Sequence, residues 1–390
     1  MASIETMNER DRWQSLAAVI GSAFAVGISV GAIIPLLSLA LEQRGLDAFW
    51  IGINTAMFPL GVIAFGFLVP RILAKLGTFK AIVISLSLCA LAILLFPMSD
   101  DYFAWCLIRL GIGAVGGVQW VASEAWINLM ATDRNRSRVM AIYATVMAGG
   151  FVCGPLILGQ TGIDGWLPYI AIAACNGLAL IPILAVRQVV PDFHRDLTSS
   201  IAGIARSAPL IMLTAFVAGF VDAGLFALLP VYELRGGIDR ETTVLTLSIF
   251  MAGNLLLQFP IGWIADHSNR RLVLLACALL IAIGALAFPL LLHDGAGFWI
   301  LMFAWGGVSW GLYTLGLAMI SDQVPVSQLA AANAAFVMAY EIGSMGGPVI
   351  AGAAMDYLER YGLPLAMALV ALLLPIFGRR RRSLHPRRAN

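Results

Sequence analysis

The chain has 390 residues, of which 60% are hydrophobic and 12% are charged, and its mean hydropathy is +0.89. A surface built from this composition cannot be hydrated, so a water-soluble globular protein is excluded and an integral membrane protein is expected. The net charge of +2 is spread along the chain and does not indicate nucleic-acid binding.

The first apolar segment begins after Trp13 and runs over residues 14–41, which is longer than the apolar core of a signal peptide. We therefore expect a retained membrane helix. About 20 helical residues cross the hydrocarbon layer, and nearly all of the later segments reach that length. Eleven more segments follow, over residues 48–70, 81–99, 102–129, 139–163, 165–186, 207–232, 242–265, 272–292, 295–321, 326–355 and 361–378.

These segments lack the polar residue at every second position that a membrane β-barrel requires. Helices satisfy their own backbone hydrogen bonds in lipid and fit the pattern. The sequence therefore predicts an all-α membrane protein with twelve transmembrane helices.

The two halves of the chain repeat each other. Gly150-x-x-x-Gly154-Pro155 recurs 193 residues later as Gly343-x-x-x-Gly347-Pro348. Such duplication is typical of secondary carriers, in which two similar bundles enclose a central site. The longest break between apolar segments lies at residues 187–206 and carries no further span. We predict an N-terminal six-helix bundle over 1–186, a cytoplasmic linker over 187–206, and over 207–390 a C-terminal bundle with a basic tail, the two bundles related by a pseudo-twofold axis.

Lysine and arginine predict the orientation. With twelve spans, the side that holds both termini collects 19 of the 24 basic residues. This asymmetry places both termini in the cytoplasm of a bacterial-type inner membrane. The terminal run 379–382, four consecutive arginines, is interpreted as an anchor to anionic membrane lipids.

No site for a metal, a cofactor or enzymatic chemistry is expected. The five cysteines lie inside predicted helices without C-x-x-C spacing, and the four histidines lie in loops or in the tail. The chain contains neither a P-loop nor H-E-x-x-H, and no predicted span contains a histidine, which disfavours direct ATP drive and an intramembrane enzyme. A transporter-derived sensor that binds a solute without moving it stays open as an alternative.

Four ionisable residues fall inside predicted spans: Arg109, Glu124, Asp222 and Glu341. A charge near the bilayer centre costs about 2.5–3.5 kcal/mol, so such residues face a bundle interior or water. Burial favours the protonated form of a carboxyl group, which is what proton coupling requires. Arg109 and Glu124 are 15 residues apart, or about 22 Å along a helix, so they cannot pair with each other. A purely structural role for each of the four is the alternative.

Several motifs resemble those of the major facilitator superfamily. Gly262-x-x-x-Asp266-His267-Ser268-Asn269-Arg270-Arg271 resembles the cytoplasmic-loop signature G-x-x-x-D-R-x-G-R-R, with His267 and Asn269 as departures. The equivalent loop of the first half has Pro70 in place of the acid. The segment that starts at Arg109 resembles R-x-x-x-G-x-G, which is associated with proton-coupled carriers. The segments 124–128 and 134–138 are similar to the YcaD-like branch, whose substrates the resemblance does not supply.

The resemblance implies a monomeric carrier of a small organic solute that works by alternating access, with helices one, four, seven and ten around the cavity. Asp222 or Glu341 would bind the coupling proton, with Arg109 biasing its release. Gly150, Gly154 and Pro155 resemble a hinge motif of exporter branches, which favours export; close helix packing is the alternative for all such glycines. The candidate cavity residues are Asn54, Gln119, Trp120, Asn254, Gln258, Trp305 and Tyr313. The candidate conformational-motif residues are Gly262, Asp266, Arg270, Arg271, Gly150, Gly154, Pro155, Gly343, Gly347 and Pro348.

Overall fold

The computed structural model describes residues 8–131, 135–187, 208–324 and 328–378. The interior of the predicted linker, the segment around Arg134 and the basic tail lie outside these residues. All regular elements in the described ranges are helical. The twelve α-helices are α1 Glu9–Gln43, α2 Ala48–Gly66, α3 Val69–Leu95, α4 Tyr102–Met130, α5 Arg136–Thr161, α6 Leu167–Ala185, α7 Pro209–Arg235, α8 Arg240–Asp266, α9 Arg270–Leu291, α10 Gly295–Gln323, α11 Leu329–Leu358 and α12 Gly362–Gly378.

Eleven continuous helical segments of the described chain are long and apolar enough to cross a membrane. The last of them, Ala332–Gly378, has 47 residues and would measure about 70 Å as one straight helix, more than twice the hydrocarbon thickness. A 3₁₀ turn at Glu359–Tyr361, where Glu359 has a φ of 47°, divides it into α11 and α12. The predicted all-α membrane fold is confirmed.

The loops that follow odd-numbered helices lie together on the side opposite the start of α1 and the end of α12, which we call the distal face. Arg44, after α1, pairs with Asp100, after α3, at 3.0 Å. Arg240, at the start of α8, pairs with Asp164, after α5, at 3.4 Å. We call the opposite side the terminal face.

Equivalent helices have equivalent neighbours in the two halves of the chain. In the first half α1 packs on α5, α2 on α4 and α3 on α6; in the second half α7 packs on α11, α8 on α10 and α9 on α12. The contacts between the bundles are equivalent as well. α2 of the first bundle packs on α11 of the second, and their counterparts α8 and α5 pack on each other. This repeated arrangement is the pseudo-twofold relation that the duplicated sequence predicts.

The duplicated glycines bring helix backbones into direct contact. A Cβ atom at Gly150 would lie 2.3 Å from the carbonyl oxygen of Phe24, and one at Gly343 would lie 2.0 Å from that of Phe216. Only a residue without a side chain allows this approach. Gly343 therefore joins α7 to α11 in the way that Gly150 joins α1 to α5.

The second glycine of each motif makes the same kind of contact. A Cβ atom at Gly154 would lie 2.6 Å from the carbonyl carbon of Gly31, and one at Gly347 would lie 2.2 Å from the carbonyl oxygen of Phe220. Pro155 and Pro348 follow inside α5 and α11, which continue past both prolines. In this conformation the two motifs are packing surfaces within each bundle, and their use as hinges stays a prediction.

Candidate functional site

Carboxyl groups from both bundles converge on one tyrosine. Tyr313 on α10 lies within electrostatic range of Glu124 on α4, Asp222 on α7 and Glu341 on α11. α4 belongs to the first bundle, whereas the other three helices belong to the second. The two halves of the protein therefore face each other here across a shared acidic centre.

Asp222 and Glu341 occupy the second bundle's side of this centre. Asp222 is only 8% exposed, and its Oδ2 accepts a hydrogen bond of 3.3 Å from the hydroxyl of Tyr340. Its Oδ1 has no hydrogen-bond partner among the described residues. Glu341 is half-buried and follows Tyr340 directly on α11. Since Tyr340 is within electrostatic range of both carboxyls and of Tyr313, these four groups form one cluster.

Aromatic rings surround the tyrosine at the centre of the cluster. The ring centroid of Tyr313 lies 5.1 Å from that of Tyr340, 5.3 Å from that of Phe336 and 5.6 Å from that of Trp310. Edge-to-face and tilted pairs at such distances are favourable. The acidic centre therefore has a rigid aromatic wall made by α10 and α11.

Glu124 provides the first bundle's side of the centre. Its Oε1 accepts a hydrogen bond of 2.7 Å from the indole nitrogen of Trp120, one helical turn away on α4. Glu124 lies within electrostatic range of Tyr313 in the second bundle and of Tyr143 on α5 of its own bundle. Trp120 is 41% exposed. Gln119 is buried beside it and donates to the Ser123 hydroxyl at 3.3 Å.

Arg109 lies in a separate pocket between α2 and α4. It is buried and donates to the Oδ1 atom of Asn54 at 3.1 Å, and Asn54 in turn approaches the Sγ atom of Cys106 at 3.5 Å. No ion pair between Arg109 and a carboxylate occurs within the described ranges. Asn54 is fully buried, so in this conformation it holds Arg109 rather than lining a cavity.

Three other predicted cavity residues make contacts within the second bundle, and their place along a solute path stays a prediction. Trp305 is 1% exposed and packs against Phe250 and Phe288. Gln258 donates to the carbonyl of Gly307 at 3.2 Å and accepts from Thr314 at 2.7 Å, and Asn254 accepts from Gln258 at 3.5 Å. Apolar spans carry no surface periodicity in lipid, so the sequence could not tell core-facing from cavity-facing positions.

The loop motif after α8 ties helices of the second bundle together. Arg270 pairs with Asp266 at 2.8 Å and donates to the carbonyl of Ala318 on α10 at 3.5 Å. Arg271 donates to the carbonyl of Gly378 at the end of α12. A Cβ atom at Gly262 would meet no atom within 4 Å. The motif's basic residues therefore stabilise this end of one bundle.

An ion network that no sequence motif indicated joins the two bundles at the distal face. Arg235, the last residue of α7, makes a bidentate pair with Glu42 of α1 at 2.7 and 2.8 Å and also reaches Asp356 of α11 at 3.1 Å. Asp356 accepts from the backbone nitrogens of Ala48 at 3.0 Å and Phe49 at 2.8 Å. A carboxylate at the start of α2 is also favoured by the helix dipole.

Backbone contacts close the same end of the interface. A Cβ atom at Gly52 would lie 2.2 Å from the carbonyl oxygen of Pro348, and one at Gly352 would lie 2.3 Å from that of Ala48. Gly159 of α5 faces Val244 of α8. All these contacts lie in the distal halves of the helices, so the structure is closed at the distal face.

One further buried carboxyl was not predicted. Glu233 on α7 is fully buried, and neither of its carboxyl oxygens has a hydrogen-bond partner among the described residues. The predicted apolar segment ends at residue 232, so Glu233 falls at the predicted end of the helix. An acidic residue before an arginine is an ordinary surface pattern, so no sequence signal indicated its burial.

Two pseudo-twofold-related bundles that enclose buried charges define a membrane transporter of the secondary-carrier class. The sequence profile of the Major Facilitator Superfamily matches residues 19–247 and 211–390. The chain therefore belongs to the Major Facilitator Superfamily.

Bacterial relatives support the same assignment over most of the chain. The uncharacterized MFS-type transporter YfkF of Bacillus subtilis is 29% identical over 349 residues, covering 86% of this chain and 88% of YfkF. The uncharacterized MFS-type transporter YcaD of Escherichia fergusonii is 24% identical over 350 residues, covering 89% and 90% of the two chains. The predicted resemblance to the YcaD-like branch is confirmed.

Solved structures share the fold. A mutant of the nucleoside transporter NupG superposes with a TM-score of 0.79 at 12% identity, covering 94% of this chain and 98% of NupG. A bacterial homolog of the human lysosomal transporter Spinster, in an inward-facing and occupied conformation, gives a TM-score of 0.75 at 15% identity, covering 95% and 96%. At these identities the likeness concerns the fold alone.

Proposed function

We propose that this transporter is a proton-coupled exporter of small organic solutes. It works by alternating access as a monomer in the cytoplasmic membrane, with both termini in the cytoplasm. The proposal is supported by Glu124, Asp222 and Glu341, carboxyl groups from both bundles that lie within electrostatic range of Tyr313. The domain limits are 1–186, 187–206 and 207–390, and the basic residues of the terminal face contact anionic lipids.

The charge and shape of the centre favour cationic solutes with an apolar body. Three carboxyls lie there, whereas Arg109 is held by Asn54 in a different pocket. Aromatic faces attract organic cations, and an unpaired carboxylate supplies the opposite charge. Protons and such a solute would therefore compete for Asp222 and Glu341, which is the exchange that an antiporter requires.

Arg109 acts indirectly in this scheme. Its charge is buried between α2 and α4 on the distal side of Glu124 and biases proton release through the field along α4. The loop residues Asp266, Arg270 and Arg271 keep the ends of α8, α9, α10 and α12 together while the bundles rock. Export is supported by the resemblance of the glycine-proline motif to exporter branches.

The test is transport by the purified protein in liposomes with an imposed pH gradient. A panel of aromatic monovalent cations, with ethidium as the fluorescent member, serves as the probe. We expect cation movement against proton movement, and a cation-dependent change of internal pH. The double variant Asp222→Asn, Glu341→Gln should reduce both signals to those of empty liposomes, whereas Asp100→Asn on the exposed distal surface should leave them unchanged.

Two results would count against the proposal. Unchanged transport and coupling in the double variant would remove Asp222 and Glu341 from the mechanism. Cation binding without counterflow of labelled cation would favour the sensor alternative, because a receptor binds a solute without moving it. The direction of export is tested by comparing vesicles in which the terminal face points inward or outward.

A further inference from the structure

Glu233 is buried without the partners that an ionised carboxylate requires. It lies on α7 two residues before Arg235, but both of its carboxyl oxygens are inaccessible and accept no hydrogen bond from the described residues. Burial of a charge without a partner is so unfavourable that such a group neutralises instead. Its surroundings therefore fit a protonated carboxyl group.

The nearest polar groups support the neutral form. Thr243 and Thr246 of α8 lie beside the carboxyl and are fully buried, but neither hydroxyl meets the geometry of a hydrogen bond to Glu233. Each hydroxyl donates its single proton within its own helix, from Thr243 to the carbonyl of Asp239 at 3.0 Å and from Thr246 to that of Thr242 at 2.9 Å. Each hydroxyl oxygen can therefore still accept a hydrogen bond but has no further proton to donate. An ionised carboxylate also only accepts, so Glu233 could bond to these hydroxyls only as a protonated carboxyl group.

The fold does not need a carboxyl at this position. Gly27 of α1 contacts α5 in the same way that Gly219 of α7 contacts α11. Residues that are 192 apart in the sequence therefore occupy equivalent positions in α1 and α7. At that spacing the residue equivalent to Glu233 is Leu41, and the one equivalent to Thr243 is Ile51, both buried and apolar. The first half thus fills the same space with hydrocarbon, and the second half places an acid and a hydroxyl there.

The carboxyl lies where the two bundles close on each other. α7 ends in the Arg235 network with Glu42 and Asp356, and Val244, next to Thr243, packs on Gly159 of the first bundle. Opening of the distal face separates these contacts and admits water to the end of α7. Asp239 is a useful contrast, since it is exposed and its hydrogen bonds from Thr242 hold its pKa below the usual range.

No other titratable group at this end makes a hydrogen bond to the Glu233 oxygens in the described part of the chain. On the helices that pack against α7, and on α7 itself, these groups are Glu42, Asp47, Tyr232, Arg235, Asp239, Arg240, Glu241, Asp294, Asp356, Arg360 and Tyr361.

We propose that Glu233 is a second proton-binding site, separate from the central carboxyls. It takes up a proton from the distal solution while the distal face is open, and holds it as a neutral carboxyl while that face is closed. The step is a simple protonation, in which a carboxylate oxygen gains a proton from water and returns it on reopening. This inference deepens the proposed proton coupling and rests on it for the role of the proton in transport.

Infrared difference spectroscopy of the full-length protein in lipid tests the protonation without any solute. The background variant Glu124→Gln, Asp222→Asn, Glu341→Gln removes the central carboxyls. At neutral pH we expect this background to show the carbonyl stretch of a protonated carboxylic acid, shifted in heavy water. Adding Glu233→Gln should remove that band, whereas adding Asp100→Asn, which breaks an ion pair inside one bundle, should not. Because no transport is measured, failure here is distinguishable from failure of the carrier mechanism.

Two outcomes of this measurement would overturn the proposal. An unchanged band after Glu233→Gln means that Glu233 is ionised in the closed state. Loss of folding in Glu233→Gln would mean the same, because glutamine is a neutral replacement of almost identical shape. The variant Glu233→Leu, Thr243→Ile copies the first half and provides a folded reference that lacks the carboxyl.

A second arm tests the link to the distal face. Arg235→Gln in the same background removes both ion pairs of the network and favours opening. We expect the Glu233 band to weaken at neutral pH and to return on acidification. A band that stays at full strength while the distal face is shown to be open would overturn the proposed exchange with the distal solution.

Discussion

The two bundles share a packing skeleton but not their buried charges. Gly61 and Gly113 bring α2 and α4 into backbone contact, and Gly253 and Gly306 do the same for α8 and α10. The ionisable residues are not repeated. At the spacing of 192 residues that separates equivalent glycines of α1 and α7, the residue equivalent to Asp222 is Val30. Close helix contact is needed in both bundles, whereas a buried charge at one position need not be repeated at the equivalent position of the other bundle.

The ion pairs at the distal face connect corresponding ends of the two bundles. Glu42 and Arg235 occupy matching ends of α1 and α7, and they pair with each other across the axis. Helix ends related by such an axis can meet near it, so opposite charges one residue away from matching positions form a bridge. Asp164 and Asp356, which are 192 residues apart, each bind the start of a helix in the other bundle.

The largest effect is expected from the repeated skeleton itself. Gly343→Ala would place a Cβ atom 2.0 Å from the carbonyl oxygen of Phe216, so α7 and α11 must separate. Overpacking of this kind destabilises a protein by about 1–3 kcal/mol or more. Thermal unfolding of the purified protein should show a large loss of stability.

The control lies on the same helix. Gly346→Ala would place its Cβ atom 3.9 Å from the nearest side-chain atom, so it should be tolerated. In the first half, Gly150→Ala should destabilise and Gly149→Ala should not, since their nearest contacts are 2.3 and 3.7 Å. Equal stability of Gly343→Ala and Gly346→Ala would contradict the backbone-contact interpretation in both halves.

A smaller effect should come from the Arg109 pocket, which is specific to the first half. Asn54→Leu removes the side-chain acceptor of a buried guanidinium, and hydrogen bonds to charged groups contribute about 1.5–3 kcal/mol to stability. Met302 and Thr246 fill the equivalent space in the second half, and both are fully buried. The double variant Arg109→Met, Asn54→Thr should therefore unfold at a higher temperature than Asn54→Leu.

If the double variant were the less stable protein, the two pockets would not be equivalent in packing. The same variant also separates stability from function, because it retains the skeleton and removes the charge. We expect it to fold, and to release protons more slowly in the liposome assay.

The smallest effect is expected at the distal network. Exposed ion pairs contribute about 0.2–1 kcal/mol each, so Arg235→Gln should shift the balance between closed and open distal faces by roughly fivefold, with little change in thermal stability. Distances between spin labels on the distal loops 96–101 and 292–294 would report the shift. Arg44→Gln, which breaks a pair inside one bundle, should leave these distances unchanged.

The class of fold could be predicted from the amino-acid sequence alone. Apolar length, the absence of strand alternation and the repeated Gly-x-x-x-Gly-Pro motif led to twelve helices in two related bundles, because lipid leaves a chain few ways to satisfy its backbone hydrogen bonds. The sequence also identified the intramembrane charges Arg109, Glu124, Asp222 and Glu341 as the unusual residues, since each is costly in lipid.

Which of these residues meet became clear only from the packing of the helices. The fold brings Glu124, Asp222 and Glu341 to Tyr313, leaves Arg109 with Asn54, and puts Trp305 in the core of the second bundle. It also buries Glu233 and joins Glu42 to Arg235. Lipid-embedded helices are apolar on every side, so their sequences carry little information on which face meets another helix, and helix rotation is set by close backbone contacts between distant segments.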